Sequence, residues 1–270
     1  MPFAYLTIIR PLNCVMASFA VYVGSLIAGL PIYPSAPVIY ALIAAFLVCA
    51  AGMVMNDYFD VEIDRVNKPK RPIPAGKISK NTALAFSIIL FAAGISVSYF
   101  IGVPAFAVAV LTSALLILYA WKMKKMILVG NLAISLLVAL TFIFGGLVNL
   151  NVLPVLSLAL LAFLANTGRE IYKSIDDMMG DRTASVNSLP IKYGVLRARM
   201  IASTFILFAV ILSFVPYLLN IFRMGEVYLF FIGIADIVFL ASIVYAKRSA
   251  KISKIAMLIA QITFLVAALA

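Results

Sequence analysis

The stretch Asn56-Asp57-Tyr58-Phe59-Asp60-Val61-Glu62-Ile63-Asp64 decides how this chain is read. The residues before it, Ala41 to Met55, are almost entirely apolar, so four acidic side chains arrive abruptly where a membrane span should be ending. A basic tail, Arg65 to Lys77, follows. The run Arg169-Glu170-Ile171-Tyr172-Lys173-Ser174-Ile175-Asp176-Asp177-Met178-Met179-Gly180-Asp181 also ends a long apolar stretch, and the two runs together hold eight of the ten carboxylates.

A chain of 270 residues that is 65% hydrophobic and 11% charged cannot hide its apolar surface in a water-soluble core, which makes it a polytopic, all-α membrane protein. The two cysteines, Cys14 and Cys49, lie inside apolar stretches, and there is no histidine, so disulfide scaffolds and most zinc or iron chemistry are excluded. A metal here should be oxygen-bound. The net charge of +11 is that of basic residues flanking membrane spans rather than of a nucleic-acid binder. The apolar segment after Arg10 has no small-residue cleavage site and reads as the first span rather than a signal peptide.

Charge-free runs give the span count, since a transmembrane helix needs roughly 20 apolar residues. Pro11 to Asn56 is one pair of helices, broken by Pro31, Pro34 and Pro37. Lys80 to Lys122 is a second pair, broken near Gly102 and Pro104, and Met126 to Gly168 a third, broken around Asn149, Asn151 and Pro154. Single spans follow at Met200 to Phe222, Val227 to Ala246 and Ile255 to Ala270, the last the shortest. The expectation is nine spans in a single domain, 1–270. Placing the N-terminus and every even-numbered loop on one side puts all of the Lys and Arg there except Arg223, so both acidic runs should face the cytoplasm from a cell-membrane protein. Asn13 and Asn131 precede Asp60 and Asp177 by 47 and 46 residues, a weak sign of internal duplication.

On a helix, Asn56, Asp60 and Asp64 form one polar stripe, with Asp57 and Glu62 pointing elsewhere. In the second run the stripe is Glu170, Lys173, Asp177 and Asp181, with Asp176 off it. Two such stripes facing each other repel unless divalent cations lie between them, and a Mg²⁺-bound diphosphate is the natural occupant. Carboxylates at a helix C-terminus also oppose the helix dipole, which argues for a use there. Arg65, Lys68, Lys70, Arg71 and Lys77 after the first run, with Lys122, Lys124 and Lys125 on the same side, offer contacts for the phosphate oxygens that a metal does not reach. Three prolines stiffen the segment Pro69 to Gly76 into a cover for the site.

At these residues the chain resembles the UbiA superfamily of intramembrane prenyltransferases. Its first signature matches Asn56 to Asp64 with Arg71-Pro72-Ile73-Pro74-Ala75-Gly76, and its second matches Arg169-Glu170, Lys173, Asp177, Gly180 and Asp181. Arg10-Pro11-Leu12-Asn13 and Gly130-Asn131 are smaller matches. The resemblance implies helices around a central cavity, with Asn56, Asp60, Asp64, Asp177 and Asp181 holding Mg²⁺ and the diphosphate of a polyprenyl donor. Lys173, Arg71 and Lys125 would bind that diphosphate, with Lys68, Asn13, Asn131 and Glu170 as further substrate contacts. Tyr22, Tyr119 and Tyr172 are candidates to steady an allylic cation.

The second run looks most like the archaeal ether-lipid branch, which implies geranylgeranyl transfer to a lipid acceptor, geranylgeranylglyceryl phosphate. An aromatic quinone precursor such as 4-hydroxybenzoate is the alternative acceptor. The acceptor's own phosphate would need further cations, for which Arg10 and the Lys122 to Lys125 cluster are the candidates. An ion-coupled transporter using Asp236 at mid-span is a reading of another class. A CDP-alcohol phosphotransferase is a third, but its D-G-x-x-A-R signature is absent.

Overall fold

Proline and glycine place most of the helix breaks. In the computed structural model, residues 2–183, 187–245 and 247–270 are described, and among them there is helix and no strand. The first two helices, α1 (Pro2–Ile9) and α2 (Pro11–Ile27), meet at a 49° bend. Arg10 sits between them in the left-handed region, φ 52°, directly before Pro11, whose ring disfavours right-handed helix in the residue before it.

A long helix, α3 (Ala36–Phe59), passes at Asp60 (φ −90°, ψ 4°) into the short α4 (Val61–Asn67), with the hydrogen bonds Asp60 N–H to Asn56 O and Asp64 N–H to Asp60 O running through the join. The proline-rich connection ends at Ser79, whose hydroxyl accepts from the Thr82 amide and caps α5 (Lys80–Tyr99). Gly102, in a conformation that a side chain would strain (φ 140°), turns the chain into α6 (Val103–Trp121). A 3₁₀ turn, Met123–Lys125, leads to α7 (Val129–Leu147).

The second half runs through α8 (Leu156–Asp176), the short α9 (Met178–Thr183) and α10 (Leu189–Tyr193), and α11 (Val195–Leu212). It ends with α12 (Val215–Leu218), α13 (Gly225–Val244) and α14 (Ser249–Leu269). The centre is closed by α2 against α7. A Cβ on Gly24 would stand 2.3 Å from the Phe142 carbonyl oxygen, and one on Gly145 2.1 Å from that of Val21, so only glycine lets these backbones approach so closely. Asn149 and Asn151 both donate to the Ala28 carbonyl, tying together two of the connections at the end remote from the acidic runs.

Seven helices are long and apolar enough to cross a membrane, or eight if the bent α1–α2 pair is one span, so the expected nine is not met by length and composition among the described residues. The difference lies in α8. It has 21 residues, but Arg169, Glu170 and Lys173 occupy its last two turns, so its length is that of a span while its charge is that of a site. The last helix is not the shortest, because α14 begins at Ser249, and Ala246, the expected end of the span before it, lies outside the described residues. Large apolar side chains such as Phe230, Ile237 and Val244 face outward, where a lipid-facing surface should be apolar.

Candidate active site at the polar mouth of a cavity

A cavity of about 330 Å³ lies among α2, α3, α6, α7, α8 and α14. Its body is apolar, with Ala44, Val48, Val108, Leu137 and Phe144 in its wall. Its mouth is not, for Arg10, Asn56, Lys124, Arg169, Glu170, Lys173 and Lys254 all border it.

The first acidic run forms one side of that mouth. Asp57, Asp60 and Asp64 are all buried, and each is matched by a cation. Arg10 pairs with Asp57, Arg71 with both Asp57 (3.0 Å) and Asp64, and Lys124 with Asp60. Asn56 donates to Asp60 at 2.8 Å. Asp57 therefore does not point elsewhere, as the helical stripe implied. Seven residues are nearly two whole helical turns, so Asp57 lies over Asp64 and shares its arginine. Glu62 does lie outside, exposed and paired with Arg65 at 2.8 Å.

The second run reaches the same mouth, with α4 packed against α9. Glu170 is clasped by Arg169 and by Lys173 at 3.4 Å. Asp177 and Asp181 are half-buried and form no salt bridge among the described residues. Burial first, and then the neighbouring Asp177, hold the Asp181 carboxyl above the ordinary aspartate range. Lys68 lies between the runs, within electrostatic reach of Asp177 and Asp64. Burial is the larger influence on it and holds its ammonium below the ordinary lysine range, with Asp177 pulling the other way.

The runs thus share one site, but arginines and lysines stand where a cage of bare carboxylates was expected. No group of three or more acidic side chains is close enough to hold an ion as it stands among the described residues. The donor chemistry nevertheless fits a hard divalent cation. Asn56, Asp60, Asp64, Asp177 and Asp181 offer oxygen as ligand atoms, and the cations now on Asp60 and Asp64 are the stand-ins a negative site needs before a metal arrives.

Several expected contacts fall differently. Lys122 and Lys125 are exposed, and it is Lys124 that turns inward, because the 3₁₀ turn changes the helical phase after Trp121. Gly130 makes this possible, since a Cβ there would meet the Lys124 Cα and the Met123 carbonyl at 2.9 Å. Asn131 donates to Ser174 at 3.2 Å, joining α7 to α8 rather than lining the cavity, whereas Asn13 does line it. The Tyr172 hydroxyl meets Ser203 at 3.0 Å and that of Tyr22 donates to the Ile32 carbonyl, so of the three tyrosines only Tyr119 borders the cavity. Asp236, the residue of the transporter reading, accepts from Ser213 at 2.8 Å and links α13 to the end of α11. Sequence patterning gave Lys254 no place in the site, set Asp57 off the stripe, named Lys124 only alongside Lys122 and Lys125, and gave Arg169 no role beyond the signature.

With this geometry in place, comparison with known proteins is specific. The pattern of the UbiA prenyltransferase family matches residues 17–265. The digeranylgeranylglyceryl phosphate synthase of Methanopyrus kandleri is 39% identical over 269 residues, covering 97% of this chain and 98% of that protein. A solved structure of a digeranylgeranylglyceryl phosphate synthase is 42% identical, with a TM-score of 0.79 over 98% of this chain and 97% of that one. A UbiA homologue from Archaeoglobus fulgidus, solved bound to GPP and Mg²⁺, shares the fold at 17% identity, with a TM-score of 0.73 over 97% of this chain and 99% of that one.

Proposed function

This chain belongs to the UbiA prenyltransferase family, and on that premise we propose that it moves a geranylgeranyl group from geranylgeranyl diphosphate to geranylgeranylglyceryl phosphate, releasing diphosphate, in archaeal ether-lipid synthesis. The observation that carries this reading is the cavity, in which an apolar body opens on a mouth where carboxylates and cations alternate.

The donor's diphosphate would lie at that mouth. Lys68, Arg71, Lys124 and Lys173 surround it with ammonium and guanidinium donors, and Asn56, Asp60, Asp64, Asp177 and Asp181 would hold Mg²⁺. A divalent ion supplies charge neutralisation to the departing diphosphate. As the bond between the prenyl C1 and the diphosphate oxygen breaks, Arg71 and Lys124 can transfer from the carboxylates they now balance to the charge that develops. The apolar wall keeps water from the allylic cation, and the Tyr119 ring borders the space where it forms. A hydroxyl oxygen of the acceptor then forms the new ether bond to the prenyl C1, and its proton leaves with the released diphosphate.

The chain is a multi-pass membrane protein. The Lys and Arg at the cavity end favour the cytoplasmic side for the mouth. A cysteine at Ser79 should label from that side and one at Ser35 from the other. Ser185, a further position for such labelling, lies outside the described residues. The activity itself is tested with purified protein, Mg²⁺ and geranylgeranyl diphosphate. Transfer to geranylgeranylglyceryl phosphate with 4-hydroxybenzoate untouched is the expected result. The reverse preference overturns the acceptor assignment and favours a quinone-precursor prenyltransferase.

A further inference from the structure

The part of the mouth built from α2, α8 and α14 has an excess of positive charge. Lys254 on α14 donates to the neutral amide oxygen of Asn13 at 3.2 Å, and it forms no salt bridge among the described residues. It lies within electrostatic reach of Arg169, Arg10 and Lys173, with Glu170 the one carboxylate among the groups that act on it. Glu170 is already shared by Arg169 and Lys173, and Arg10 is paired with Asp57. Arg169 has in addition a buried Nε–H with no hydrogen-bond partner among the described residues, although its Nη1 is bonded to Glu170. Both Arg169 and Lys254 line the cavity.

An ammonium that is half-buried and, among the described residues, held only by an amide, beside a guanidinium with an unused buried donor, is costly unless an anion completes it. The donor's diphosphate has its own cations in Lys68 and Arg71 after α4, Lys124 on the 3₁₀ turn and Lys173 on α8, so the anion required here is a second one. We propose that Lys254 and Arg169 form the phosphate subsite of the acceptor, separate from the diphosphate site, and so select a phosphorylated glycerol lipid over acceptors that lack a phosphate. Asn13 then positions Lys254 from α2, and Glu170 positions Arg169. This assignment moves the acceptor's phosphate away from Lys122 and Lys125, which are exposed, and from Arg10, whose charge is committed to Asp57. It rests on the acceptor being geranylgeranylglyceryl phosphate.

The test measures kcat and KM for two acceptors, geranylgeranylglyceryl phosphate and its phosphate-free alcohol, in the wild type, Lys254→Met and Lys254→Arg. Lys254→Met should raise KM for the phosphorylated acceptor about 10- to 100-fold, the loss of one charge-assisted hydrogen bond. It should leave KM for geranylgeranyl diphosphate within about 2-fold and shrink the preference for the phosphorylated acceptor by the same factor. Lys254→Arg should restore most of it. An unchanged acceptor KM, or an equal rise in both substrates' KM, overturns the subsite while leaving the proposed activity intact. A wild type that uses neither acceptor overturns the proposed activity and this subsite with it. Should Lys254→Met not purify as a folded protein, Lys254→Gln, which keeps a donor for Asn13, is measured in the same way and read by the same outcomes.

Discussion

The two acidic runs are alike in sequence and unlike in how they are held. In the first, Asp57, Asp60 and Asp64 are buried and each carboxylate already has a cation, delivered from α1–α2 (Arg10), the proline-rich connection (Arg71) or the turn before α7 (Lys124). In the second, Glu170 is fully engaged while Asp177 and Asp181 are half-buried and without salt bridges among the described residues. The first run is thus charge-paired before any ligand arrives, and the second supplies two carboxylates, Asp177 and Asp181, that no cation bridges among the described residues. Removing a carboxylate should therefore have different effects on stability in the two places, even where the effect on turnover is the same.

The largest expected effect is shared. Asp60→Asn and Asp181→Asn should each reduce turnover by more than about 100-fold, because each removes the negative charge of a carboxylate proposed to hold the ion that would neutralise the leaving group. Their thermal stability without ligand should separate them. Asp60→Asn strands Lys124 and should cost about 1–3 kcal/mol, less than for a fully buried pair because the Lys124 side chain is 30% exposed. Asp181→Asn should leave the melting temperature unchanged or raise it, since it relieves repulsion with Asp177.

Asp57→Asn comes next. It removes the shared partner of Arg10 and Arg71, so turnover should fall about 10-fold together with a loss of stability, both in the range of one broken buried pair. No loss of either would restore the narrower stripe of Asn56, Asp60 and Asp64. Smaller effects are expected around the 3₁₀ turn. Lys124→Ala should cost about 10-fold in turnover, the value of one charge-assisted contact, and Gly130→Ala somewhat less by displacing the turn that carries it. Lys122→Ala and Lys125→Ala should each stay within about 2-fold, since both side chains are exposed.

These contrasts mark how far the sequence could be read. The membrane fold, both acidic runs and their presence at one mouth were legible, because apolar period, charge-free length and the placement of Lys and Arg are local properties of the chain. The pairing of Asp57 with Arg71 was concealed by counting in fours, although a separation of seven returns to the same helical face. The choice of Lys124 over Lys125 depends on one residue of phase in a 3₁₀ turn, and on a glycine contact that no pattern of hydrophobicity reports. Lys254 meets Asn13 across 241 residues, so nothing local connects them. By length and composition the count stops short of nine at α8 for a physical reason as well, since the helix that carries the second run gives up apolar residues to the site.

The central claim is that both runs hold one metal–diphosphate site, and the most direct measurement is the melting temperature of the purified protein with Mg²⁺ and a non-reactive thio-analogue of geranylgeranyl diphosphate. The wild type should be stabilised by several degrees when metal and analogue are added together and by much less with either alone, as expected for a ligand bound only by the folded state. In Asp60→Asn and in Asp181→Asn that joint stabilisation should vanish. If either variant keeps the full metal-dependent shift, its run does not hold the ion and the single shared site is contradicted.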